Sequence, residues 1–327
     1  MLTSFSKTHI GQRKVNEDCI LVDENLGLYI VADGVGGLQK GDVASKIACQ
    51  KILECTKQGR KLDYSAYEAH GVLVDQIESN HNKQGMATTI AAVLFTGNNY
   101  HISWVGDSRV YLWDGKLKLL TKDDSYVERL YENDLISLED METHPDRNVI
   151  SQALGMTRKE ITINNNSGTL ERDQILLICS DGLYSIANEL DIINEIDQQA
   201  GMTDLTEKLV NIAVENDGKD NISLISIKCN ESSNQQDAPS KPHVVREFDA
   251  KTGTYKKKVR VPDNKQTDPN LVDITELKDL SIKEKDLIES AAQISLKTKV
   301  KEKNKYLVPV SLVGIIVLVA SLLYIYR

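Results

Sequence analysis

"LYIVADGVGG", residues 28–37, runs five apolar or small residues into Asp33 and then places glycine at 34, 36 and 37. An apolar run of that length without polar alternation reads as a strand buried on both faces, and it delivers a carboxylate to a turn almost free of side chains. The design recurs. "ILLICSDG" ends at Asp181-Gly182, and "GKDNISLIS" sets Asp220 at the mouth of another apolar run. Carboxylates mounted on the ends of rigid strands can be held close together, but like charges at short range repel and raise one another's pKa. A divalent cation removes that conflict. Mg²⁺ and Mn²⁺ favour oxygen ligands and keep several waters, so a few acids and a backbone carbonyl suffice. Gly34 has no Cβ to obstruct its carbonyl. A lone Asp-Gly pair is ordinarily just a turn, and Asp114-Gly115 and Asp217-Gly218 are read that way; the metal reading rests on the set of three.

Working outward, strands are expected at "CILVD" (19–23), "LGLYIVAD" (26–33), "ATTIAAVLF" (87–95), "YHISWVG" (100–106), "RVYLWDG" (109–115), "KLKLLT" (116–121), "EITINN" (160–165), "DQILLICSD" (173–181) and "NISLISIKC" (221–229). Helical spacing of apolar residues predicts helices over 42–56, 64–79, 189–196 and 205–214. Residues 123–148 read as a polar, variable region. Hairpin-joined strands with helices inserted in pairs point to an α+β fold rather than a parallel βαβ series.

The 327-residue chain carries a net charge of −9, concentrated before Cys229, where 35 acids face 22 bases. After that point 17 bases face 13 acids. An acidic globular part excludes a phosphate-seeking nucleic-acid surface. The five cysteines are scattered, without CxxC spacing, and read as reduced structural thiols. The first 15 residues lack the apolar stretch of a secretory signal.

A single globular domain is expected over 1–229. Residues 230–305 hold four of the six prolines between 230 and 270 and read as a polar linker, with possible helices near 271–298. "YLVPVSLVGIIVLVASLLYIY", residues 306–326, is uncharged over 21 residues. As a helix it would span roughly 30 Å, about one hydrocarbon core. Lysines at 297, 299, 301, 303 and 305 precede it and only Arg327 follows. This reads as a C-terminal transmembrane helix with the large N-terminal part on the cytoplasmic side.

"GQRKVNEDCILVD", "LYIVADGVGGLQKGDVAS", "GMATTIAAVLF", "WVGDSRVYLWDGKLKLLTKDDS", "HPDRNVISQALG", "LLICSDGLY" and "GKDNISLISI" resemble, in order, the motifs of the metal-dependent, type 2C (PPM) serine/threonine phosphatases, bacterial members above all. The resemblance covers residues 4–228 and implies a four-layer α/β/β/α sandwich, two packed antiparallel sheets flanked by helices. It implies that Asp33 bridges two Mn²⁺ or Mg²⁺ ions, with the Gly34 carbonyl, Asp181 and Asp220 as further ligands. Glu17 and Asp18 would act through metal-bound water, Arg13 would hold the substrate phosphate with its guanidinium fork, and Asp123 would bind a third, weaker ion. The nucleophile would be hydroxide bridging the two metals, attacking phosphorus in line, so no protein nucleophile is implied. Asp107, Ser108 and Arg109 are assigned to shaping the core.

The implied function is hydrolysis of phosphoserine and phosphothreonine in proteins, opposing a serine/threonine kinase at the membrane. Two other readings compete: a non-catalytic phosphoprotein-binding module of the same fold, and a small-molecule phosphomonoesterase. Departures from the family pattern occur at Val35, Leu38, Ala87 and Asp124. Val35 stands where eukaryotic members carry a histidine proposed as general acid. His144 lies in the segment that forms a flap in bacterial relatives.

Overall fold

The alternation of side chains along strand β3 (Leu28–Ala32) generates the architecture. Tyr29 and Val31 face one way, into a core shared with residues of a second sheet, whereas Leu28, Ile30 and Ala32 face the other way, onto helices. A strand covered on both faces has no polar side, which is why its sequence is an uninterrupted apolar run. The structure is a computed structural model and describes residues 2–35, 40–80, 85–156, 161–198, 201–230 and 240–256.

In chain order the described elements are β1 (Leu2–His9), β2 (Cys19–Asp23), β3, β4 (Gly34–Val35), α1 (Gly41–Lys57), α2 (Leu62–Ser79), β5 (Ala87–Thr88), β6 (Ile90–Thr96), β7 (Asn99–Val105), β8 (Arg109–Trp113) and β9 (Leu117–Leu119). They continue with α3 (Tyr126–Glu132), α4 (Leu138–Thr143), β10 (Asn164–Thr169), β11 (Ile175–Cys179), α5 (Asp181–Tyr184), α6 (Glu189–Asp197), α7 (Met202–Glu215), β12 (Ile222–Cys229), β13 (Arg246–Asp249) and β14 (Thr254–Tyr255).

Two large antiparallel sheets form, one ordered β1-β12-β11-β8-β9-β13-β14 and the other β10-β7-β6-β3-β2, beside a small pairing of β4 with β5. Val31, Ala91, Val93 and Ile102 of the smaller sheet meet Val110, Leu112, Leu176, Ile178, Ile225 and Ile227 of the larger. Outside the smaller sheet, Ala48 and Ile52 of α1 and Ala66, Ala69 and Leu73 of α2 complete a second core. Outside the larger, Ile193 of α6 and Leu205, Leu209, Val210 and Ala213 of α7 cover Leu177, Cys179 and Leu224. These are the layers of the expected α/β/β/α sandwich.

Register brings the functional ends together. Cys19 pairs with Ala32, so the residues just outside, Asp18 and Asp33, emerge side by side. Cys179 pairs with Leu224, and the Ser180 amide donates to the Ser223 carbonyl, which places the exit of β11 beside the entry of β12.

Several expectations are revised. β10 occupies 164–169 rather than 160–165, pairing Asn164 with Trp104 through Thr169 with Asn99. The polar stretch 123–148 contains two short helices. Ser125 Oγ accepts from the Glu128 amide to cap α3, and Ser137 and Asp140 form a reciprocal capping box on α4. Strand β1, polar at most positions, has no counterpart among the expected strands and pairs along all of β12.

The largest change concerns the boundary at 229. Residues 240–256, expected to be linker, are part of the domain: β13 adds to the edge of the large sheet at Arg246–Leu119 and Glu247–Lys118, and Phe248 joins the core beneath α6 and α7. The expected helices near 271–298 and the expected transmembrane span 306–326 lie outside the described residues. Among the described residues no helix is long and apolar enough to cross a membrane.

If 240–256 belongs to the fold, Phe248→Ala in the full chain is expected to cost ~3–5 kcal/mol in urea denaturation, as for a buried aromatic. Val22→Ala, at a position 37% exposed, is expected to cost under ~0.5 kcal/mol. Equal, small losses in both would return the segment to linker.

Candidate metal centre

The acids gather where strands from both sheets leave the core. Asp33 follows β3, Asp181 opens α5 just after β11, Asp220 precedes β12, Asp18 precedes β2, and Asp107 follows β7. Their backbones are firmly held. Asp33 donates its amide to Thr89 Oγ1 at 3.2 Å, and its carbonyl accepts from the Thr89 amide and from Thr88 Oγ1, both at 2.8 Å. Thr89 Oγ1 is in turn bonded to Ser108 Oγ at 2.7 Å. The "TT" of "GMATT" and the serine of "GDSR" therefore act as a clamp on Asp33.

A second clamp is Asn221. Its Oδ1 accepts from the Glu17 amide at 2.8 Å, and its Nδ2 donates to the Ile10 and Val15 carbonyls at 2.9 and 3.1 Å. The loop carrying Arg13, Glu17 and Asp18 is thereby fastened to the entry of β12. Gly34 is required by close approach: a Cβ there would lie 2.3 Å from the Gly41 carbonyl oxygen and 2.6 Å from that of Glu17. Gly41 reciprocates, since a Cβ on it would sit 2.5 Å from the Gly34 carbonyl oxygen. A side chain at 41 would cover the carbonyl expected to face a cation. Glu17 Oε1 accepts from the Gly41 amide at 3.1 Å and so sits at the start of α1.

Electrostatics identify the members of the cluster. Burial, then the charges of Asp18, Asp181 and Asp107, push Asp33 well above the usual carboxylate range. Burial followed by Asp220 raises Asp181. Asp18, 6% exposed, is pushed up to about 7 by burial and by Asp181 and Asp220, against hydroxyl contacts from Ser223 and Ser180 that lower it. Ser180 Oγ lies 2.9 Å from Asp18 Oδ2. Arg13, whose side chain is 54% exposed, puts Nη2 2.6 Å from Asp220 Oδ2.

Asp33, Gly34, Asp181, Asp220, Asp18, Glu17 and Arg13 are thus brought to one place. Asp123 is not. Arg109 holds it with Nε at 3.1 Å from Oδ1 and Nη2 at 2.8 Å from Oδ2, in a buried pair stacked over Tyr184. Asp107, assigned from the sequence to shaping the core, is a further buried acid beside them. It is 7% exposed, and burial followed by Asp181 and Asp123 pushes it well above the usual range. The signal was available, because "HISWVGD" repeats the pattern of an apolar run leading to an acid, but the hairpin turn explained the same residues. Asp124, standing in place of a histidine, is structural: its Oδ2 accepts from the Gly106 amide and Gln152 Nε2, both at 2.9 Å. His144 ends α4 and meets the Tyr126 ring edge-on at 6.0 Å.

The donor set fits divalent cations. Asp18 Oδ1 and Asp181 Oδ1 are buried oxygens with no hydrogen-bond partner, an arrangement proteins rarely tolerate without an ion or water. Among the described residues no three acid, histidine or cysteine side chains close into a ready-made ligand shell. Ions that retain several waters do not need one, and two carboxylates with a carbonyl already match Mg²⁺ or Mn²⁺. Residues that would hold them are Asp33, Asp181, Asp220 and the Gly34 carbonyl, with Asp107 and Asp18 beside.

The site also has a roof. A cavity of about 470 Å³ reaches from Asp107 and Asp123 to Val127, Met141, Glu142 and Arg147 of the segment around α3 and α4.

The family model for protein phosphatase 2C matches residues 6–224. The serine/threonine protein phosphatase PstP of Mycobacterium tuberculosis is 32% identical over 220 residues, which take in 65% of this chain and 42% of that protein. This chain therefore spans less than half the length of that relative. The serine/threonine phosphatase stp of Listeria welshimeri is 30% identical over 226 residues, 66% of this chain and 89% of the relative. Among solved structures, the catalytic domain of PstP in complex with two manganese ions superposes with a TM-score of 0.62 at 27% identity, covering 70% of this chain and 99% of that one.

Desolvated acids make the fold pH-dependent in a stated direction. Asp18 titrates near 3.8 when unfolded and about 7 when folded, so between those values the folded chain retains a proton that the unfolded chain releases. Its contribution is full below about pH 4 and is lost as pH rises through about 7. In EDTA the melting temperature is expected to fall from about pH 5 to about pH 8, and millimolar Mn²⁺ should remove the fall at the upper end. A flat profile in EDTA, or no response to Mn²⁺, would refute a cation site among these acids.

Proposed function

Because the chain belongs to the protein phosphatase 2C family, we propose that it hydrolyses phosphoserine and phosphothreonine in proteins at a centre of two Mn²⁺ or Mg²⁺ ions. The observation that supports this most directly is the convergence of Asp33, Asp181, Asp220, Asp18 and Asp107 at one end of the sandwich, with two buried carboxylate oxygens unpartnered. When bound, two such ions neutralise the acids and make water a competent nucleophile near neutral pH.

Each residue then has a task. Asp33, pinned by Thr88 and Thr89, would hold the ions together with the Gly34 carbonyl and the carboxylates of Asp181 and Asp220. Arg13 stands at the rim with an exposed guanidinium already within 2.6 Å of Asp220. A substrate phosphate competes for that guanidinium, whose fork can meet two phosphate oxygens at once. Asp18, fixed by Ser180, and Glu17, fixed on α1, orient water at the edge of the centre. Val35 offers no proton, so the leaving alkoxide must take its proton from another group. For any third ion, Asp123, held by Arg109, and Asp107 beside it are the acids at hand.

The acidic domain and the lysine-rich stretch before the uncharged residues 306–326 support a cytoplasmic catalytic domain tethered to a membrane. A tether raises the effective concentration of the phosphatase towards membrane-bound kinases and their substrates without any new contact.

Two measurements test these readings. Mn²⁺-dependent phosphate release from phosphothreonine peptides is expected for the full chain, and Asp33→Asn is expected to lower kcat by at least about 100-fold. Tight phosphoprotein binding without turnover would replace the enzyme by a binding module. In liposome flotation, the full chain should float and a version ending at Lys256 should stay in the aqueous fraction; equal behaviour would refute the tether.

A further inference from the structure

The family model ends at residue 224, yet the chain runs on into the domain. Ser240 and His243 exchange hydrogen bonds with Thr169 and Asn166 of β10, and β13 then pairs with β9. From β13, Arg246 points inward, 7% exposed, and places Nη2 2.7 Å from both carboxylate oxygens of Glu128, itself 3% exposed. The same nitrogen lies 3.9 Å from Met141 Sδ, and the guanidinium sits 5.3 Å from the centre of the Tyr131 ring. Glu128 and Tyr131 belong to α3 and Met141 to α4, so one side chain touches both helices that wall the cavity beside Asp107.

Those helices are also held at Tyr126, whose amide donates to the Val149 carbonyl, and at Glu132, which pairs with Lys122. They are seven and six residues long, too short to be stable alone, and bury only Val127, Glu128 and Met141. Their position is therefore set by tertiary contacts, and a buried charge pair is directional where a few apolar atoms are not. The hairpin continues to Tyr255, whose hydroxyl donates to Glu189. Glu189 also accepts from Tyr111 and pairs with Arg109, the residue that occupies Asp123.

We infer that Arg246 is a positioning residue: from a strand beyond the family domain it fixes α3 and α4, and through them the shape of the cavity that receives the peptide flanking the phosphorylated residue. The inference rests on the phosphatase reading for the identity of what enters the cavity, but the fastening itself does not. A small aryl phosphate needs only the acids and Arg13, whereas a peptide must also meet the wall.

The test compares full-length wild type with Arg246→Met and Arg246→Lys in Mn²⁺, using a phosphothreonine peptide and p-nitrophenyl phosphate. Arg246→Met is expected to raise KM for the peptide about tenfold, with a smaller change in kcat, and to lower selectivity for peptide over aryl phosphate by a similar factor. Arg246→Lys, which keeps a charge for Glu128, should recover most of it. Proportional loss on both substrates, tracking melting temperature alone, would overturn the inference. Hydrogen exchange of the wild type decides independently of activity and of whether a variant folds. Amides of 127–132 should be as protected as those of 246–249, and rapid exchange in the first with protection in the second would also overturn it. A wild type that hydrolyses neither substrate would instead refute the phosphatase reading and leave the exchange result to decide the fastening.

Discussion

Mutual repulsion among carboxylates in a poorly solvated place is the constraint on which the rest of this structure depends. Asp18, Asp33 and Asp107 are each pushed upward by burial and by Asp181, and Asp181 is pushed upward by burial and by Asp220. A flexible chain would relieve this by moving the acids apart. Here they cannot separate, because each is attached to a strand whose other residues are locked between layers. Asp33 follows five buried residues of β3, and Asp181 lies two residues beyond the five buried residues of β11. The sandwich is the device that keeps the charges together, and bound cations would offset what the geometry costs.

Holding the strands is not sufficient, since the acids stand just outside them. The loops are secured by polar side chains whose bonds cross between elements. Thr88 and Thr89 fix Asp33 from β5 and the residue after it, Ser180 fixes Asp18 across 162 residues of sequence, and Asn221 binds three backbone groups of the Ile10–Glu17 loop. Such hydrogen bonds count for more in a site of low dielectric, where an unmade one leaves a polar group with no solvent to turn to. The glycine pair 34 and 41 completes the arrangement by permitting backbone contact that no other residue would allow.

Most of this fold was legible in the sequence because burial on both faces leaves a plain mark. The runs at 28–32, 90–95, 175–179 and 222–227 contain little else than apolar residues, and each became a strand covered on both sides. The three acids at strand mouths were legible for the same reason. What escaped has a common physical cause, namely structure held by few and specific contacts. Helix α3 has one fully apolar buried residue, Val127, and its anchor is the ion pair of Glu128 with a residue 118 positions away. Strand β13 adds only Phe248 to the core, and its neighbours Arg246, Glu247 and Asp249 read as solvated chain until their partners are known. Asp107 was passed over because a tight turn accounted for "GDSR" equally well, and only the convergence of β7 with β11 distinguishes the two.

The same contrast explains how the molecule divides its labour. Apolar layers are non-directional and hold the acids against repulsion by bulk, so they tolerate exchange of one hydrocarbon for another. The wall over the cavity is held differently, by Arg246 on Glu128 and by the chain of Tyr255, Glu189 and Arg109 leading to Asp123. Removing one partner of a buried ion pair leaves an uncompensated charge, so each such contact either forms fully or forces its element to a new position. An element held this way has a defined place without a large core of its own. That is what a surface near a reactive centre requires if it is to shape the approach of a substrate while remaining open to solvent. The centre is thus rigid by packing and its entrance is fixed by charge, and the strand that supplies the fixing charge lies beyond the residues that the family model matches.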